Sequence, residues 1–410
     1  MFRGLILLYF LPLLASATIL KVGANQNYKT ILKAIDAANA HDTVLIEPGI
    51  YVIQEYTLNK PLTFLGKKQP TITGNGHKIF LVESDSTHFI GLKFTGVATS
   101  YVNDDAAIRF DRVEGGSVQH CRFDTCFFAI FIGHSASVSI INNTIQSHYS
   151  DEASSGNAVH GWYSQNLTIT NNEVYGHRDG IYLEFVENST VTNNHSHDNL
   201  RYGLHFMFSH NNTYSKNIFE RNGAGCAVMY SNNVTMLNNI FRENWGEASY
   251  GMLLKDIKDS KLKDNYFYHN SIGIHADNSM RLEIRNNIFE QNGWGLRIMG
   301  SCMENVLTQN DFIDNSFQIA TNSQRNYNDF TGNYWSDYTG YDLDRNNRGD
   351  VPHRPVNLYT FMVTQNAPTI ILMRSFVIDL INLAEKVMPT ITPETLIDES
   401  PLMKPVNVKH

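Results

Sequence analysis

Residues 217 to 241 read Asn217-Ile-Phe-Glu-Arg-Asn-Gly-Ala-Gly225-Cys-Ala-Val-Met-Tyr-Ser-Asn-Asn-Val-Thr-Met-Leu-Asn-Asn239-Ile-Phe, and they contain one full period of the chain. The phrase Asn-x-apolar opens at Asn217 and again at Asn239. It recurs at Asn143, Asn172, Asn265, Asn287, Asn310 and Asn333, with a degenerate copy at Asn194, at steps of 22, 23 or 26 residues and one of 29. Periods in this range mark a solenoid in which each repeat is one coil. A second phase runs alongside: Gly180, Gly203, Gly225, Gly251 and Gly273 lie 14 residues before the Asn of their repeat, and Gly295 lies 15 before. Each Gly opens a short run such as Ile181-Tyr-Leu-Glu-Phe or Leu204-His-Phe-Met-Phe, in which bulky residues alternate at the strand period of two. Asn-Asn pairs suit the left-handed turns of a tightly wound chain. The expected fold is all-β, a right-handed parallel β-helix solenoid with an N-terminal cap helix and a C-terminal helix plus extended tail. The Leu-rich signature of the leucine-rich repeat, which shares the period, is missing.

Outward from the repeats, the organisation reads in four parts. Residues 1–17 resemble a secretory signal peptide, with Arg3, an apolar run from Leu5 to Leu14, and Ala15-Ser-Ala17 as a cleavage site. Residues 18–90 hold the N-terminal cap and first coils: Tyr28-Lys-Thr-Ile-Leu-Lys-Ala-Ile-Asp-Ala-Ala has helical spacing, and such a cap covers the open end of the core. Residues 91–335 are the β-helix repeats. Residues 336–410 form a C-terminal loop, an amphipathic helix over 370–388 and a partner-docking tail containing Pro389, Pro393, Pro401 and Pro405. After the signal no segment carries 18 uncharged apolar residues, so the sequence predicts an exported chain with no membrane span.

With 40 acidic and 32 basic residues the formal charge is −8, and no Lys/Arg-rich run is present, which argues against nucleic acid as a partner. Of four cysteines, Cys121 and Cys126 are close enough in sequence for a disulfide, with burial as packing residues as the alternative; Cys226 falls at an inward strand position.

The phase also places the side chains. With Gly as zero, positions one, three and five face the core, while positions two and four face outward and stack at about 4.8 Å between coils. The position-two column reads His160, Tyr182, His205, Ala227, Leu253, His275, Arg297, and the position-four column Glu184, Met207, Met229, Lys255, Asp277, Met299. Thioether beside imidazole favours copper, Cu(I) above all, so His205, Met207 and Met229 with His160 are candidate ligands. A metal-free contact surface for a partner is the alternative. Met299 with Cys302 and Met303 is a second sulfur-rich cluster. His177, His195, His197 and His210 are expected on turns, in solvent. Asp342, Asp344, Asn346 and Asp350 place oxygens at positions one, three, five and nine of a loop, as calcium sites do, but His353 stands where an EF-hand has Glu. A hydrogen-bonded turn is the competing reading there.

Enzymes that cut or epimerise acidic polysaccharides also use parallel β-helices, and they need converging carboxylates. The outward columns offer only Glu184 and Asp277, four coils apart, and Asp104-Asp105 and Asp151-Glu152 are adjacent pairs in loops. No hydrolytic pair emerges.

Finally, Gly203-Leu-His-Phe-Met-Phe-Ser-His210, Gly223-Ala-Gly-Cys-Ala-Val-Met-Tyr230, Asn244-Trp-Gly246, Asn292-Gly-Trp-Gly-Leu-Arg-Ile-Met-Gly-Ser-Cys302, Gly332-Asn-Tyr-Trp-Ser-Asp337, Gly340-Tyr-Asp-Leu-Asp344 and Gly349-Asp-Val-Pro352 resemble the NosD family, periplasmic maturation proteins of nitrous oxide reductase. His353 and Arg345-Asn346-Asn347 depart from the family pattern. The resemblance implies a periplasmic, non-catalytic subunit in denitrification, held at the membrane by the ATPase and permease of an ABC-type transporter complex. It implies delivery of copper to apo nitrous oxide reductase, or assembly of its copper-sulfur centre, with a copper chaperone lipoprotein upstream. The alternatives are a polysaccharide lyase or epimerase, and a metal-free docking platform.

Overall fold

In the computed structural model, residues 17–100, 104–148, 151–323, 325–373, 375–388 and 396–406 are described. The signal-peptide reading, Pro389 and Pro393 lie outside them.

Three parallel sheets of 14, 13 and 12 strands run the length of the repeats, each strand pairing with the equivalent strand one coil away. The inward positions are filled as the strand period requires: in Tyr202–Met207, Leu204 and Phe206 are buried in the core. Phe219, Phe241, Phe267, Phe289, Phe312 and Trp335, the aromatic of each Asn-x-Phe phrase, stack inside with ring centroids 5.2, 4.8, 4.9, 4.7 and 4.5 Å apart. The Asn itself explains the period. In each coil its Oδ1 accepts the backbone N–H and Nδ2–H of the Asn one coil earlier, and its own Nδ2 donates to a core-strand carbonyl, forming one ladder from Asn143 through Asn333. Buried amides satisfied on both sides hold the turn where no strand can. A second ladder joins Asn199, Asn222, Asn244, Asn270, Asn292 and Asn315.

The residue before many ladder Asn residues, such as Asn142, Asn171, Asn193, Asn238 and Asn286, takes a positive φ, the role expected of the Asn-Asn pairs. The Gly column has a steric cause instead. A Cβ on Gly225 would lie 2.6 Å from the carbonyl oxygen of Gly251 and 3.0 Å from Phe241, leaving no room for a side chain.

Both ends are covered. Helix Ile31–Ala37, its Thr30 Oγ1 accepting from Lys33 N, buries Ile31, Ala34 and Ile35 over the first coil. At the far end Asp398, fully buried, accepts from Gly332 N at 2.8 Å, Asn333 N at 2.9 Å and Trp335 Nε1 at 2.9 Å, so a tail carboxylate ends the Asn ladder. The C-terminal helix of the sequence reading is present but interrupted. A 3₁₀ turn, Ala367–Leu372, carries Pro368 as its second residue and is followed by helix Phe376–Val387. A further helix, Leu358–Gln365, was not expected, and its Tyr359 and Val363 pack on Phe317 with Ile378. No described helix is long and apolar enough to cross a membrane.

The four cysteines are free and buried, so the packing reading holds over a Cys121–Cys126 bond. Cys121 stands at the top of the Asn ladder, its N–H donating to Asn143 Oδ1 and its Sγ accepting from Leu92 N at 3.5 Å.

Candidate functional site

The register places the outward columns as read from the Gly phase. In the third sheet His160, Tyr182, His205, Ala227, Leu253, His275 and Arg297 are successive partners, as are Glu184, Met207, Met229, Lys255 and Asp277. Their exposure differs from expectation. His160, Tyr182 and His205 are only 9%, 9% and 3% exposed. Bulky rings on consecutive coils shield one another: the His160–Tyr182 and Tyr182–His205 centroids are 4.7 and 4.6 Å apart. Phe128 and Phe131 cover His160 from the preceding coil, and Tyr202 flanks His205 at 4.8 Å. An outward direction in a solenoid therefore does not mean contact with water when the column is aromatic.

Burial sets the chemistry of the His160 imidazole. It pushes His160 down to about 3, helped by the Arg178 guanidinium, so its ring is neutral and keeps a lone pair at any physiological pH. His160 Nδ1 lies 3.4 Å from Asn157 Nδ2, and its Nε2 is buried without a hydrogen-bond partner. His205 Nδ1 faces the fully buried Asp179 Oδ2 at 3.4 Å, and its Nε2 is likewise buried and unpartnered. An Asp at one ring nitrogen orients the other as an acceptor or ligand.

Beside His205, on the same outward face, the in-register pair Met207 and Met229 is partly exposed. Tyr182 Oη donates to Met207 Sδ at 3.5 Å, and burial keeps that hydroxyl protonated by raising its pKa. The structure thus brings His205, Met207 and Met229 onto adjacent coils, with His160 one further ring away behind Tyr182. The residues fit a soft cation: two thioethers and an imidazole with an unpartnered nitrogen. Asp179 and Tyr182 were not singled out as site residues, and only the column phase hinted at Tyr182.

The second sulfur cluster does not assemble. Cys302 is 1% exposed, its Sγ accepting from Ser279 N and facing Ala276 O at 3.4 Å each, so it fills a turn position inside the wall and does not face Met299 from outside. Met299 follows Asp277 in the column, three coils or about 14 Å from Met229, too far to share one ion. In the 342–350 loop the oxygens are already engaged. Asp342 accepts from Asn346 N and Asn347 N, Asp344 from Asn346 N and Nδ2, Asn346 Oδ1 from Arg348 N at 2.7 Å, and Asp350 from Leu343 N at 2.6 Å. Those are the contacts of the hydrogen-bonded turn. Two histidine expectations also change: His195 and His197 lie in a strand, and His177 is fully buried.

A winding of stacked aromatics, paired Asn ladders and a Met/His face defines the class, a parallel β-helix protein. Within it, residues 146–340 match the family model described as "Periplasmic copper-binding protein (NosD)". A "Probable ABC transporter binding protein NosD" from Stutzerimonas stutzeri is 30% identical over 130 residues, covering 31% of this chain and 30% of that one. Its namesake from Pseudomonas aeruginosa is 27% identical over 175 residues, or 38% and 41% of the two chains. The chain thus spans about a third to two fifths of the length of these relatives. Among solved structures, the catalytic domain of a GH87 alpha-1,3-glucanase in complex with nigerose has a TM-score of 0.57 at 12% identity, covering 78% of this chain and 69% of that one, a likeness of fold alone.

Proposed function

We propose that the chain is a periplasmic, non-catalytic accessory subunit of an ABC-type transporter complex that passes Cu(I) toward nitrous oxide reductase or helps assemble its copper-sulfur centre. The observation that carries this reading is the unpartnered Nε2 of His205 beside the in-register Met207 and Met229, set inside the segment matched by a copper-binding family. The relatives' names support the transporter setting. Copper here is cargo, and a site of two thioethers and one imidazole with a partly open face suits an ion that must leave again. Partners would be the ATPase and permease, a copper chaperone lipoprotein and apo nitrous oxide reductase. Helix Phe376–Val387, with Phe376, Leu380, Leu383 and Val387 exposed, is the surface for the permease. The carboxylates of the outward face do not support hydrolysis, since Glu184 and Asp277 are four coils or about 19 Å apart, beyond the separations of paired catalytic acids.

Anaerobic Cu(I) titration against a competing chelator tests the site. Binding that the Met207→Ala, Met229→Ala double variant loses at least tenfold supports it. Equal binding by wild type and variant, or none by either, removes copper from this face and leaves a docking platform.

A further inference from the structure

Glu173, His195 and His197 form a second cluster, on the 13-stranded sheet, whereas Met207 and Met229 lie on the 12-stranded one. Glu173 and His195 are register partners on adjacent coils, and His197 projects two residues along the same strand, hence on the same face. One ligand-capable atom from each of the three lies within 4.8 Å of the other two. The two rings sit side by side at 4.3 Å, and Tyr175 stacks on His197 at 4.8 Å and 15°, which restrains its rotation.

Each imidazole has one nitrogen engaged by a carboxylate. His195 Nε2 meets Glu220 Oε1 at 2.9 Å, and His197 Nδ1 meets Asp198 Oδ2 at 2.6 Å. Those carboxylates are in turn held by guanidinium groups, Asp198 by a two-point contact from Arg221 at 3.0 and 3.0 Å and Glu220 by Arg242 and Arg221. A carboxylate on one ring nitrogen fixes the tautomer that leaves the other as a lone pair, the arrangement around most metal-bound histidines. In His197 that other nitrogen, Nε2, is buried with no hydrogen-bond partner and lies 3.7 Å from Glu173 Oε1. Arg221 also reaches Glu243 Oε2 at 3.8 Å, so four carboxylates (Glu173, Asp198, Glu220 and Glu243) face the two guanidiniums of Arg221 and Arg242.

We infer that Glu173, His195 and His197 form a binding site for a divalent cation of borderline hardness, of the Zn(II) kind, separate from the Cu(I) face. Two nitrogens and one carboxylate oxygen match that class, whereas a soft monovalent ion wants sulfur and calcium wants oxygen alone. Bonds of about 2.0–2.2 Å to a tetrahedral ion put ligand atoms about 3.4 Å apart. The present 4.8 Å limit closes to that by side-chain rotation, for which Glu173, half exposed, has the most room. The remaining coordination position opens to solvent or to a partner's side chain.

The test uses the full mature chain and Zn(II) itself, titrated against a chromophoric chelator, with His197→Gln and Glu173→Gln as variants and circular dichroism to confirm that each folds. One Zn(II) per chain, weakened at least tenfold by either substitution and unchanged in the Met207→Ala, Met229→Ala variant, is the expected result. Folded variants that bind Zn(II) as the wild type does, or a wild type that binds none below about 10 μM, would overturn it. Because the Cu(I) and Zn(II) titrations depend on different residues, failure of one leaves the other standing.

Discussion

Replacing Asn239 by Ala tests the claim that the Asn ladder holds the winding together. The Oδ1 of Asn239 accepts from Asn217 N and Asn217 Nδ2, both at 3.0 Å, and its Nδ2 donates to Tyr214 O and Asn265 Oδ1, both at 3.0 Å. The side chain is 1% exposed, so water cannot take over these roles. Four hydrogen bonds at about 1 kcal/mol net each give a loss of about 4 kcal/mol, with the Asn217 N–H left wholly without an acceptor. That is a large share of the roughly 5–15 kcal/mol that holds an ordinary domain. Coils contact only their neighbours, so the damage should concentrate on the coils carrying residues 213–243, where hydrogen exchange would quicken first. Urea unfolding followed by circular dichroism measures the total. Asn232→Ala, an exposed Asn of the same repeat, serves as the control and should change stability by less than about 0.5 kcal/mol. A loss at position 239 of under about 1 kcal/mol would refute the ladder as a stabilising device and reduce it to a by-product of the winding.

Gly225→Ala should cost at least about 2 kcal/mol in the same assay, because the new methyl meets a carbonyl oxygen at 2.6 Å; a neutral result would mean the coils can slide apart locally. Met207→Leu with Met229→Leu keeps volume and removes sulfur, so stability should stay within about 1.5 kcal/mol while Cu(I) affinity falls at least tenfold. His160→Phe probes pH. Its folded-state value of about 3 lies below the 6.5 of a free histidine, so the folded chain takes up its proton later than the unfolded chain does, and stability drains as pH falls from about 6.5 toward 3. The Phe variant should lose less stability than wild type across that window in urea titrations at stepped pH, and parallel curves would contradict the burial of a neutral ring. Leu380→Glu, on an exposed helix face, should leave urea unfolding unchanged within about 0.5 kcal/mol yet weaken co-purification with the permease; unaltered co-purification would remove this helix as the docking surface.

How far the sequence could be read depended on whether a feature repeats. The Asn-x-Phe phrase and the Gly column recur at one phase, so strand position, inward and outward faces and even the partners of Met207 were legible from spacing alone. The family resemblance rested on the same repeats and their punctuation. Burial of His205 was not legible, because it comes from rings on neighbouring coils covering one another, a property of the column and not of any one strand. Cys302 misled for a related reason: its turn position is held by Ser279 one coil earlier, and a buried Ser-type slot looks, in a single repeat, like an exposed sulfur. Glu173, His195 and His197 escaped notice because the Glu stands 22 residues before its histidine partner, and only the register of the second sheet makes them neighbours. In the C-terminal segment no repeat exists to average over local preference, and there helix Leu358–Gln365 was missed and the break before Phe376 was not placed.

The register has a metric consequence. From His205 the third sheet steps through Ala227, Leu253, His275 and Arg297 to Ala320, five intervals of about 4.8 Å, so the Met/His face stands about 24 Å along the axis from the coil on which the C-terminal helices pack. Both cap structures touch only terminal coils. Inserting or deleting one central coil would therefore lengthen or shorten that span by a fixed increment without rebuilding either end. The winding acts as a ruler: under the proposed function, coil number would set the distance between the docking helix and the point where the ion changes hands.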